Sequence, residues 1–159
     1  MPNSNPNARR SRFAGLAAHL AGSLAAALLL GAGAAPADEF PVFLGNVGVG
    51  RANPELRTEL RALLRAEIRS ADFAHVKTRE RYVLAATLLR LDSTQSSDSV
   101  RATCVISVAL LRDKGATLYA LINGSATAEE AKAQVDIARS DALRGAVHSA
   151  MARVPQALR

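Results

Sequence analysis

The stretch Val100-Arg101-Ala102-Thr103-Cys104-Val105-Ile106-Ser107-Val108-Ala109-Leu110-Leu111 alternates strictly along its length. Val100, Ala102, Cys104, Ile106, Val108 and Leu110 point one way, and Arg101, Thr103 and Ser107 point the other. A period of two is the pattern of a strand with one buried face. A strand of this kind needs a layer to cover its apolar side, so the rest of the chain must supply helices for that face.

Next to it, Asp113-Lys114-Gly115 has turn chemistry, and Thr117 to Ala126 reads as the returning strand. On the other side Tyr82 to Leu91 (YVLAATLLRL) is apolar on both alternating faces, as a central strand is. The polar run Asp92 to Ser99 between them reads as a loop. These three strands make an antiparallel meander. Phe40 to Val49 reads as a first strand ending in the turn Gly48-Val49-Gly50, and Phe73 to Thr78 as a further short one.

Two helices frame the meander. Asn53 is a good N-cap, Pro54 fits the first helical position, and Glu55 suits the positive end of the helix. From there Leu56, Leu60, Leu63, Leu64, Ile68 and Ala71 form one apolar stripe. A second stripe runs from Val135 to Val154, with Thr127-Ala128-Glu129-Glu130 as a capping box before it, a break near Ser140-Asp141, and Pro155 at its end. The expected fold is α+β, a two-layer sandwich of order β-α-β-β-β-β-α. Its sheet is mainly antiparallel, with both helices on one face.

Residues 1–37 have a different character. Arg9, Arg10 and Arg12 precede a stretch from Phe13 to Ala37 without a charged residue, and Ala35-Pro36-Ala37 has the small-residue pattern of a cleavage site. This reads as a secretory signal, leaving residues 38–159 as one domain in the periplasm or outside the cell. Retained, the same stretch is long enough for an anchor helix.

Without the three leader arginines the formal charge falls from +6 to +3, so no nucleic-acid partner is called for. Cys104 is the single cysteine, so no internal disulfide can form. The fold must rest on its core.

The order of elements resembles a periplasmic domain found in three groups. These are the amino-terminal part of TolB, curli secretion proteins of the CsgG type, and lipoprotein activators of penicillin-binding proteins. The resemblance rests on VFLGNVGVGRANPELRTELRALLRAEI (42–68), YVLAATLLRL (82–91) and VISVALLRDKGATLYALINGSA (105–126). It implies a non-enzymatic envelope protein that works by docking on other proteins. The chain lacks the lipid-bearing cysteine of the lipoprotein members, and no position-specific binding residue carries over.

The residues carry little recognisable chemistry. Gly45, Gly48 and Gly50 have neither the dinucleotide-binding spacing nor a following phosphate-loop lysine. His75 and His148 have no second ligand at metal spacing, and Gly124-Ser125 is not a nucleophile elbow. Glu67 falls within the apolar stripe of its helix and is expected either to reach out at the helix end or to pair with a strand arginine such as Arg90 or Arg101. No catalytic residue, cofactor or metal is assigned.

Two surfaces remain as candidates for contact. Arg57, Arg61, Arg65 and Arg69 form a row at i+4 spacing. Such a row suits an anionic membrane surface or an acidic protein. Its bland reading is a solvated flank whose stems cover apolar surface. The polar side of the last two strands, including Arg101, Val105, Tyr119 and Leu121, would form a docking face if the helices share the other side. The leading expectation is an exported interaction module with an envelope protein as partner. The alternatives are a small secreted hydrolase whose site is assembled from scattered residues, and a peripheral protein of anionic membranes.

Overall fold

A computed structural model describes residues 41–50, 53–76 and 80–159. Four strands form one sheet in the order β1-β2-β3-β4: β1 (Val42–Val49), β2 (Tyr82–Gln95), β3 (Ser99–Arg112) and β4 (Leu118–Ala131). β1 pairs parallel with β2, and the other two pairings are antiparallel. Parallel neighbours need a crossover, and α1 (Pro54–Ser70) provides it. After β4 come α2 (Val135–Met151) and the short α3 (Val154–Ala157). The architecture is the expected α+β sandwich, with an open sheet.

The alternation read in β3 is the alternation of burial. Val100, Ala102, Cys104, Ile106, Val108 and Leu110 are fully covered, whereas Arg101 is exposed and the residues between are half-buried. Leu60, Leu64 and Ile68 of α1 and Ala142, Leu143, Ala146, Val147 and Ala150 of α2 close over that face in one core. Burying side chains of the Leu class contributes roughly 1.5–3 kcal/mol each. The chain holds together by that layer.

Asn53 caps α1 as expected, its side-chain oxygen accepting the Leu56 amide at 3.1 Å, with Pro54 opening the helix. Other local expectations yield to pairing. The short strand expected at Phe73 to Thr78 does not form over residues 73–76, where the chain turns, and residues 77–78 lie outside the described ones. β2 extends through Asp92 to Gln95, which shortens the expected loop.

The capping box Thr127-Ala128-Glu129-Glu130 is strand instead. Thr127 lies opposite Thr103 and Glu129 opposite Arg101, and these cross-strand partners outweigh the local helix signal. α2 then starts at Val135 without a side-chain cap. No break occurs at Ser140, whose hydroxyl donates to Glu59 Oε1 of α1 at 2.8 Å. Pro155 does not end the last helix but sits in the first turn of α3, where its ring fits.

Candidate docking face

With both helices on one side, the opposite sheet face stays open, and register places its residues in rows across the strands. Phe43, Val83, Leu111 and Leu118 form one row, each residue opposite the next. Ala85, Ala109 and Leu121 form a second, and Gly48, Thr87, Ser107 and Asn123 a third. Leu118 is 57% exposed and Leu121 62%. The guanidinium of Arg81 lies over the Phe43 ring, 5.1 Å from its centroid, at the rim of these rows.

The far end of the same face is polar and internally paired. Arg90 holds Asp92, and Thr103 and Thr127 meet at 3.3 Å. Arg101 donates to Glu129 Oε2 from Nη2 at 2.9 Å and from Nε at 3.2 Å, while Ser99 donates to Oε1 at 2.8 Å. The Arg101 hydrogen bond, then that of Ser99, then the Arg101 charge hold the Glu129 carboxyl below its ordinary pKa. One half of the face is therefore apolar, and the other is occupied by its own partners.

The expected face residues divide accordingly. Leu121 and Val105 lie on the open face as read, Leu121 exposed beside Ala109 and Val105 half-buried between Arg90 and Ser125. Arg101 is there too, but its guanidinium is taken by Glu129. Tyr119 does not join them. An irregularity of register between Leu110 and Leu111 leaves Tyr119 without a partner in β3. Its ring lies 4.9 Å from that of buried Tyr82, with Arg112 over it at 5.6 Å. Tyr82 alternates with half-buried Val83, so Tyr119 turns toward the helix-covered side.

Phe43, Val83, Leu111 and Leu118 join the face beyond the residues expected there. For Leu111 the signal was present, since it continues the parity of Val105 and Ala109. For Phe43 and Val83, residue pattern alone cannot say which face of a doubly apolar strand stays open.

The arginine row runs along α1 on the flank away from α2. Arg57, Arg65 and Arg69 are exposed and Arg61 is half-buried. Two of the helix's three acidic residues face α2: Glu59 binds Ser140, and Glu67 meets His148 Nδ1 at 3.4 Å rather than a strand arginine, while Glu55 is exposed in the first turn.

Gly45 has a packing role. A Cβ there would fall 2.4 Å from Val83 Cγ1, so its hydrogen leaves room for that side chain on the open face. Cys104 is fully buried among apolar neighbours, and desolvation pushes its thiol up to about 11. His75 lies 4.0 Å from Asp72. Among the described residues, no group of three or more His, Cys, Asp or Glu could hold a metal ion. Among the described residues, a recess of 410 Å³ is lined by Glu80, Arg81, Arg112, Asp113 and Lys114, none of them Ser, Cys or His.

No protein-family model matches the chain, and no curated protein matches it. In fold it is similar to several solved bacterial proteins. A hypothetical protein from Chlamydia trachomatis superposes with a TM-score of 0.49 at 11% identity, over 74% of this chain and 96% of that one. A minor lipoprotein from Acinetobacter baumannii gives 0.45 at 11% identity, over 74% and 92%. The PelC dodecamer subunit from Paraburkholderia phytofirmans gives 0.42 at 15% identity, over 74% and 85%. Likenesses of this size say nothing of what the chain binds. Among the described residues no helix is long and apolar enough to cross a membrane.

Proposed function

We propose that the protein is an exported, non-enzymatic interaction module of the bacterial cell envelope that docks another envelope protein on the apolar half of its open sheet. One observation carries this reading: Leu118 and Leu121, each more than half exposed, continue the rows that begin at Phe43 and at Ala85. Contiguous apolar surface of this kind marks a contact site, whereas single exposed leucines do not. The leader read at residues 1–37 supports export, and the resemblance to TolB-type and CsgG-type domains agrees with docking as the mode of action.

Site-specific photo-cross-linking in living cells tests it. A cross-linker at Leu121 is expected to trap a protein partner, and one at Thr127, on the self-paired end of the same strand, is not. Equal yields at the two positions, or none at Leu121, would overturn the docking face. Turnover of a substrate by the purified protein would overturn the non-enzymatic part.

A further inference from the structure

The described surface arginines differ in what they hold: Arg81 lies over the Phe43 ring and Arg153 donates to the Asn123 carbonyl oxygen. Arg90, Arg101, Arg112 and Arg144 each hold a carboxylate: Asp92, Glu129, Glu80 and Asp141. Arg57, Arg61, Arg65 and Arg69 hold none among the described residues. No acidic residue of α1 stands three or four positions from any of the four, the spacing at which a helix neutralises its own charges. Asp72, three places beyond Arg69, accepts from the Ala74 amide at 2.9 Å and faces His75. Like charges at i+4 oppose one another, and the structure leaves that repulsion standing.

From this we infer a second binding surface: the outer flank of α1 binds the anionic, phosphate-bearing face of a lipid bilayer. Successive arginines rise about 6 Å along the helix and turn about 40° around it. Their long stems can bring all four guanidinium groups to one tangent plane. Guanidinium pairs with phosphate oxygens through two parallel N–H donors, which an ammonium cannot do.

A folded acidic protein fits less well. Stable protein contacts centre on an apolar or aromatic anchor. The outward positions between the arginines are Thr58, Ala62 and Ala66, all exposed and none large. A leaflet of mobile headgroups needs no anchor, only charge.

Vesicle flotation of the full chain tests the inference, with vesicles of phosphatidylcholine alone and with about one-third phosphatidylglycerol. An uncleaved apolar leader would insert into either composition, so the readout is the ratio between them. The wild type is expected to prefer the anionic vesicles and to lose the preference at high salt, because screening shortens to about 3 Å at 1 M. Each Arg→Gln change is expected to lower the ratio about fivefold. Arg144→Gln, on α2, is expected to leave it unchanged, and circular dichroism checks that every variant folds.

An equal affinity of the wild type for both vesicles overturns the inference. So does a preference that survives Arg57→Gln, Arg61→Gln, Arg65→Gln and Arg69→Gln combined. Complete displacement by millimolar inorganic phosphate would mean a free-anion site instead. Arginine-dependent binding of polyglutamate without vesicle preference would mean an acidic protein. None of these outcomes bears on the cross-link at Leu121, which sits on the opposite layer.

Discussion

Gly124 of β4 lies so close beneath Ala146 of α2 that a Cβ on it would fall 2.2 Å from the Ala146 carbonyl oxygen and 2.8 Å from the Ala150 amide nitrogen. Gly145 makes the reciprocal approach, its missing Cβ leaving room for Ala126. Two glycines and a set of alanines thus let the helix backbone sit on the strand. The obstacle in each direction is main chain or Cβ, which cannot rotate aside.

Gly124→Ala is therefore expected to push α2 off the sheet and to destabilise the fold by about 1–3 kcal/mol or more, as overpacking does. Gly50→Ala is the control, because nothing lies within 4 Å of a Cβ there. Urea unfolding should show a lower midpoint for the first and no loss for the second. Equal midpoints would mean that the close approach does not bear load.

A second expectation concerns the start of α1. Asn53 accepts the Leu56 amide, one of the donors a helix leaves unpaired at its beginning. Asn53→Ala is expected to cost about 1 kcal/mol, and Asn53→Asp to cost little because the carboxylate caps equally well. The same unfolding measurement separates them.

Sequence pattern was informative wherever a residue's own neighbours decide its place. The cap at Asn53, the stripe of α1 and the alternation of β3 are of this kind. It misled where two signals competed across the sheet: Thr127 to Glu130 has the spacing of a capping box, but Thr103 and Arg101 opposite hold it extended. Tyr119 failed for a related reason, since one extra residue in β4 turns it away from Leu121, and nothing local marks such a bulge. Glu67 found His148, a partner 81 residues away on α2, because the two helices pack side by side.

The carboxyl of Glu129 offers a direct probe of the polar end of the open face. Its folded pKa lies below the unfolded value, so the favourable contribution is present above the unfolded carboxylate range. It is lost as pH falls through the folded pKa. Arg101→Gln removes the largest cause and should move the Glu129 titration, followed by side-chain carbon chemical shifts, back toward the ordinary range. A Ser99→Ala change should move it in the same direction by less. An unmoved Glu129 in the Arg101 variant would show that the pair is not formed in solution.

Cys104 makes the opposite titration. Its thiol is raised from 9.0 to about 11 by burial, which favours the neutral form in the folded protein. A raised pKa stabilises the fold below the unfolded value and ceases to do so as pH climbs from about 9 toward about 11. The wild type should therefore lose stability in that window, and Cys104→Ala, which has no proton to lose, should lose less of it. At neutral pH the thiol should resist modification until denaturant exposes it. Cys104→Ser should cost about 1–3 kcal/mol, because among the described residues every buried side chain of the core around that position is apolar and none can receive the hydroxyl. Rapid labelling of native Cys104 at pH 8 would mean that the sheet and its helices part far more readily than a core covered on every side permits.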